Sequence, residues 1–157
     1  MKTKPTHRPA TTRRAFLQQT LVAGGVALAP LIVPGRVLGR DGGVAPSNRI
    51  VLGGIGIGNR GRQVLEVMMA EKDVQFVATC DVQARLRESV KAMVDETYGT
   101  KDCTTYRDMR ELLARSDVDA VLIAIGERWH TLASILAAKA GKDIYCEKPC
   151  GLSIGEA

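Results

Sequence analysis

The sequence predicts an α/β protein built on a doubly wound parallel sheet, and three observations carry that prediction. Short apolar, β-prone runs alternate with longer stretches of 3.6-residue period. A glycine-rich string falls directly between the first such run and the first such stretch, and an aspartate closes the second run. Strands that alternate with helices need crossover connections, which makes neighbouring strands parallel and places helices on both faces of the sheet.

Each element follows from its own pattern. Residues 50–55 (Ile-Val-Leu-Gly-Gly-Ile) are an uninterrupted apolar run, as a strand buried on both faces requires. Residues 60–71 read as a helix with Val64, Leu65, Met68 and Met69 inward. A second strand is expected over 76–80. Residues 83–98 then place Leu86, Val90, Met93 and Val94 at helical spacing, and Gly99 stops them. Residues 104–106 suit a short third strand, and 108–115 a helix carrying Met109, Leu112 and Leu113. The most apolar strand is 118–125. A small-residue helix over 131–140, ended by Gly141, and a fifth strand over 144–146 complete the series.

Composition removes several function classes. With 45% hydrophobic and 25% charged residues in 157, the balance is that of one globular domain of ordinary size. The net charge of +5 is unevenly spread: residues 1–39 hold six Lys/Arg and no acid, leaving sixteen cations against all seventeen acids in the rest. The body is therefore nearly neutral, and no nucleic-acid surface is expected. Cys80, Cys103, Cys146 and Cys150 show neither C-x-x-C spacing nor a partner His cluster, so no metal site and no disulfide frame are expected.

The first 39 residues read as a leader. Residues 1–14 are polar and basic, 15–35 carry no charge, and Arg36 closes the stretch, which is a signal-peptide layout. Arg13-Arg14-Ala15-Phe16-Leu17 after Thr12 resembles the twin-arginine motif, with Gln18 in place of the usual lysine. The uncharged stretch is also just long enough for an uncleaved membrane anchor, although its Gly, Gln and Pro content makes a poor lipid-facing helix. The expected organisation is a twin-arginine signal peptide over 1–39, a linker over 40–47 and a nucleotide-binding domain over 48–157. Such a leader implies the twin-arginine export machinery as a partner and a periplasmic or other extracytoplasmic destination. Proteins on that route fold before export, which suits a chain that must first take up a cytoplasmic nucleotide.

Gly56-Ile57-Gly58-Asn59-Arg60-Gly61 is G-x-G-x-x-G placed after a strand and opening a helix. The first glycine allows the tight turn, the second lets backbone approach a pyrophosphate, and the third lets helix pack closely on strand. The helix N-terminus then offers unpaired N–H groups and partial positive charge to the phosphates. Asp81, twenty residues past Gly61, ends the second strand where a carboxylate can accept both ribose hydroxyls of an adenosine. Together these residues predict a Rossmann-type dinucleotide site. Asp81 also repels a 2′-phosphate, which favours NAD; Arg60 in the loop and Arg85 one turn past Asp81 leave NADP open.

The string Ala-Gly-Lys-x-x-x-x-Glu-Lys-Pro over 140–149 is the most specific in the chain. With the glycine loop, Asp81, Tyr106-Arg107-Asp108, Val118-Asp119-Ala120-Val121 and Trp129-His130, it resembles the glucose–fructose oxidoreductase/inositol dehydrogenase (Gfo/Idh/MocA) family over about residues 48–157. The resemblance implies that Lys148 lies beside the nicotinamide and orients substrate and cofactor, and that Glu147 supports the cofactor ribose. It places Ile125, Gly126 and Trp129 on the cofactor side and His130 near Lys148 as a second catalytic group. The chain departs from the family where Thr-Pro-Asx is common after the fourth strand: it has Gly126-Glu127-Arg128, which brings in a carboxylate.

Read without the family, Glu147-Lys148 follows a strand end, so both head groups point into the cleft; a surface ion pair is the alternative. A lysine beside a positively charged ring suits acid/base or polarising work. His130, the one histidine outside the leader, reads equally as a helix cap or a packed ring. The activity implied by the resemblance is hydride transfer between NAD(P) and a sugar, polyol or sugar derivative, in a protein that forms homo-oligomers. The alternatives are an NAD-dependent glycoside hydrolase of the same superfamily, whose members tend to lack the Glu-Lys-Pro string, and a non-catalytic nucleotide-binding fragment. The chain supplies five strands where a complete dinucleotide fold has six, and family members continue into a second domain that binds substrate. The expectation is therefore a Rossmann domain incomplete at its C-terminus and inactive by itself.

Overall fold

The structure, a computed structural model, describes residues 44–155. The expectations for the leader and for residues 40–43 of the linker lie outside the described residues. Five strands, β1 (Ile50–Ile55), β2 (Val74–Cys80), β3 (Thr104–Tyr106), β4 (Ala120–Ile123) and β5 (Asp143–Cys146), form one sheet. Their spatial order is β3-β2-β1-β4-β5, and every neighbouring pair is parallel. Helices α1 (Asn59–Met69), α2 (Ala84–Tyr98), α3 (Met109–Leu113) and α4 (His130–Lys139) make the crossovers. Strand order reverses between β1 and β4, which opens a crevice at their carboxyl ends. The doubly wound Rossmann-type sheet is thus the architecture the residues form.

Alternation along β4 shows why the strands read as continuous apolar runs. Val121 and Ile123 join Ile55, Ala78, Leu112, Ala133 and Ala137 in one core, while Leu122 joins Leu52, Phe76, Leu65, Val90 and Val94 in another. One core lies under α3 and α4 and the other under α1 and α2, so neither face of the central strands meets water. The centre of the sheet is drawn tight from both sides. A Cβ on Gly53 would come within 2.8 Å of Leu112, and one on Gly54 within 2.8 Å of Phe76.

Element ends depart from the sequence reading for local reasons. β2 begins at Val74 because Val74 pairs with Ile50 at the start of β1. The helix expected over 108–115 shrinks to α3: Asp108 caps it by accepting the Arg110 N–H, and Arg115 leaves it to pair with Asp117. β4 is shorter than 118–125, because after Ala124 donates to the Ile55 carbonyl at 3.0 Å the chain turns off the sheet. A 3-10 turn over Glu127–Trp129 follows and starts α4 one residue early. α2 ends as expected at Gly99, whose φ of +65° lets the Thr100 N–H reach the Asp95 carbonyl.

Lys142, in the most specific string of the sequence, belongs to the framework. Its ammonium donates to the Arg115 and Val118 carbonyls at 2.6 and 2.9 Å, at the amino-terminal end of β4 and far from the crevice. Among the described residues no helix is long and apolar enough to cross a membrane.

Candidate functional site

Because all strands run one way, β1, β2, β4 and β5 deliver their following residues to one edge of the sheet. Each of these loops is pinned by one further ladder bond. Gly56 donates to the Cys80 carbonyl (2.8 Å), Asp81 to Tyr106 (3.1 Å), Ala124 to Ile55 (3.0 Å) and Glu147 to Ile123 (2.9 Å). The sheet therefore fixes where each loop starts.

Two adjoining hollows open along this edge and share Ala124 and Ile125 in their walls. The first, about 330 Å³, is lined by Gly56, Gly58, Asp81, Gly126 and Trp129, with Cys80, Val82, Gln83 and Leu86. The second, about 180 Å³, is lined by Arg60, Glu127, His130, Glu147 and Lys148. A larger hollow of about 430 Å³ lies at the opposite end of the sheet beside Arg49, Gln75 and Tyr98, and is lined by none of the cofactor-binding or catalytic candidates.

The three loop glycines do three different things. Gly56 sits at φ +68°, and a Cβ there would fall 2.7 Å from the Ile125 Cα, so the turn tolerates no side chain. A Cβ on Gly61 would meet the Ala124 Cβ at 2.9 Å, which is the close helix-on-strand packing expected of the third glycine. At Gly58 the fold leaves room for a side chain: its φ is −81° and no atom lies within 4 Å of where its Cβ would be, while its N–H donates to the Gly56 carbonyl at 2.9 Å. Its bare backbone faces open space in the first hollow, and no side chain caps α1 behind it. An uncapped helix N-terminus behind an unobstructed glycine fits the diphosphate of a dinucleotide.

Asp81 stands where the sugar of such a ligand would lie. Its Oδ1 accepts the Gln83 N–H at 2.7 Å, which orients the carboxylate, and its Oδ2 has no hydrogen-bond partner among the described residues. Burial, with Asp81 alongside, pushes the neighbouring Cys80 thiol up to about 12, so this wall is a neutral, unreactive sulfur. Among the described residues no lysine or arginine lines the first hollow: Arg60 faces the second, and Arg87 donates to the Asp81 and Val82 carbonyls. Trp129, 49% exposed, presents its ring at the mouth of the first hollow.

Other expected residues take different places. The Ile57 side chain is 1% exposed and packs with Leu65 and Phe76, so only its backbone is near the loop. Asn59 is exposed at the first turn of α1 and lines neither hollow. His130 is 3% exposed, and its two ring nitrogens face the Pro149 carbonyl at 2.6 Å and the Ile125 carbonyl at 2.9 Å. It fastens the turn after β5 to the turn after β4. It also lines the second hollow together with Lys148.

Lys148 and Glu147 follow β5 through the ladder bond of Glu147, and Lys148–Pro149 is a cis peptide bond. Glu147 is nearly buried, and Arg60 reaches its Oε1 from α1 at 3.2 Å. Residues the sequence did not assign to the site are Val82, Gln83 and Leu86, the first turn after Asp81, and Ala124, whose small side chain admits Gly61. Their only signal was adjacency to residues that were singled out.

Comparison with known proteins supplies a further set of observations. A family model described as "Oxidoreductase family, NAD-binding Rossmann fold" (GFO_IDH_MocA) matches residues 50–157. A protein of Saccharopolyspora erythraea called glycosyl hydrolase family 109 protein is 33% identical over 108 residues, which are 67% of this chain and 24% of that one. Glycosyl hydrolase family 109 protein 1 of a Shewanella species is 31% identical over an alignment covering 92% of this chain and 35% of that one. Among solved structures, myo-inositol 2-dehydrogenase from Lactobacillus plantarum superposes with a TM-score of 0.60 at 27% identity, over 69% of this chain and 30% of that one. The chain thus spans about a quarter to a third of the length of the curated relatives it matches.

Proposed function

This chain belongs to the Gfo/Idh/MocA oxidoreductase family with its NAD-binding Rossmann fold, and from that premise we propose that it is the nucleotide-binding module of an enzyme that moves a hydride between NAD(P) and the carbinol carbon of a sugar, polyol or sugar derivative. The observation that carries this reading is the open backbone at Gly58 beside Asp81, with Lys148 in the adjoining hollow. When bound, the nicotinamide supplies the hydride acceptor or donor. The chain's own residues do the rest. Amides at the start of α1 bind the diphosphate, and Asp81 accepts the adenosine ribose hydroxyls. Lys148 holds or gives up a proton at the reacting oxygen, Glu147 supports the ribose, and His130 keeps the two turns in register. NAD is the proposed nucleotide, because Asp81 stands in a hollow that, among the described residues, no lysine or arginine lines to receive a 2′-phosphate.

A second reading has its own support. The curated relatives just named are called glycosyl hydrolase family 109 proteins, so the hydride taken from a sugar could be returned to it within one turnover, with a glycoside cleaved between. The intact Glu147-Lys148-Pro149 string favours the first reading. One assay on the full-length protein separates them: sugar-dependent absorbance of reduced nicotinamide means dehydrogenation, glycoside cleavage without net reduction means hydrolysis, and neither with either nucleotide overturns both. Lys148→Ala should abolish turnover and leave nucleotide affinity within about threefold; loss of both together would refute its assignment. We propose that residues 1–39 direct export by the twin-arginine route. Replacing Arg13 and Arg14 by lysine should strand the protein inside the cell, and unchanged export would overturn that.

A further inference from the structure

The Arg60–Glu147 pair joins two segments with separate tasks. Arg60 belongs to the first turn of α1, behind the phosphate-facing glycine, and Glu147 immediately precedes Lys148. The Glu147 side chain is 11% exposed, and among the described residues its only side-chain hydrogen bond is with the Arg60 Nε at 3.2 Å. Arg60 itself is 65% exposed; its Nη1 makes one long bond of 3.3 Å to Gln63, and its Nη2 makes none among the described residues. A nearly buried carboxylate therefore depends on a cation that is mostly in water, and half of that cation's hydrogen-bonding fork is unused.

A diphosphate seated on the first amides of α1 would place two negative charges in the same helical turn as this guanidinium. Planar guanidinium forks bind phosphate oxygens in pairs, more strongly than they hold one carboxylate oxygen at a wet surface. We propose that Arg60 is a positioning residue that couples the two hollows. Without nucleotide it holds Glu147; the diphosphate draws the guanidinium away and releases the Glu147 carboxylate at the edge of the hollow that Lys148 lines. This inference rests on the nucleotide-binding reading above and adds a competition between two anions for one cation.

Competition has a sign that simple structural support lacks. Adenosine diphosphate carries the diphosphate without the nicotinamide half, so its affinity reports the Arg60 exchange alone. Glu147→Gln, which removes the competing charge, should tighten adenosine diphosphate two- to tenfold by calorimetry, and Glu147→Asp, which shortens the reach to Arg60, should move affinity in the same direction. Arg60→Gln should weaken binding, and adding Glu147→Gln to it should then change nothing, whereas Arg60→Lys should restore the tightening. Thermal melts check that each variant is folded. Unchanged or weaker binding by both Glu147 variants, or tightening that persists without a cation at position 60, overturns the coupling. Absence of any nucleotide binding by the unmodified full chain instead overturns the underlying function, so the two failures are distinct.

Discussion

Gly58→Ala separates the demands of the fold from those of a ligand. The residue has φ −81° and ψ −158°, a region open to alanine, and nothing in the protein lies within 4 Å of the added methyl. Alanine there restricts the unfolded chain without straining the folded one, so stability should hold or rise by about 0.4–1 kcal/mol. The methyl would stand about 1.5 Å out from the backbone, in the open space where a diphosphate would approach. Hydrogen bonds to a charged group contribute about 1.5–3 kcal/mol each, so pushing the ligand off one amide should weaken nucleotide binding about 10- to 100-fold. Gly56→Ala is the contrasting control. Its φ of +68° costs an L-residue about 1–2 kcal/mol, and the approach of 2.7 Å to the Ile125 Cα adds about 1–3 kcal/mol of overpacking. That variant should lose about 2–5 kcal/mol of stability. Urea unfolding and calorimetric titration with NAD read both quantities. A Gly58→Ala protein that is more than about 1 kcal/mol less stable yet binds NAD normally would refute the reasoning.

Three further outcomes follow from other parts of the structure. Asp81→Ala should raise NADP affinity relative to NAD by at least about tenfold, because the carboxylate that repels a 2′-phosphate is gone; an unchanged ratio measured by fluorescence titration would contradict the assignment of Asp81. Burial pushes the Cys103 thiol up to about 11 and holds Cys80 higher still, whereas Cys150 is exposed. Alkylation at pH 8 followed by mass spectrometry should therefore label Cys150 long before Cys80 or Cys103, and equal rates would be the contrary result. The Lys91 ammonium bonds Asp95 at 2.7 Å and, with the Cys103 N–H, holds that carboxyl below its ordinary range. A folded-state value below the unfolded one stabilises the protein above the unfolded value, and that contribution is lost as pH falls through the folded one. Asp95→Asn should thus flatten the acid side of the stability profile, and superimposable profiles would exclude the effect.

The sheet was legible because both of its faces are covered. Residues such as Val121, Leu122 and Ile123 must all be apolar when successive side chains enter different cores, and no other arrangement of such short runs explains the helices between them. Element ends were less legible, since they depend on pairing partners distant in sequence: β2 starts at Val74 only because Ile50 lies opposite. The glycine loop and Asp81 were readable for the same reason the strands were, as each occupies a fixed place after a strand. The carbonyl partners of His130, on Ile125 and Pro149, were not, because they come from turns that only the folded sheet brings together. Arg60 belonged to the readable loop, yet its partner Glu147 is 87 positions away and no local pattern joins them. Lys142 and Lys148 stand in one string but serve opposite ends of the sheet, a division that spacing alone does not reveal.

Backbone amide spectra recorded during titration with NAD test the central claim most directly, since they report position as well as binding. Amides of Gly56, Gly58, Asn59 and Gly126, with the Trp129 indole, should shift together, while those of Lys72, Tyr98 and Asp102 around the opposite hollow stay still. Shifts confined to that opposite end, or none at all at millimolar NAD, would contradict a dinucleotide site at the carboxyl edge of this sheet.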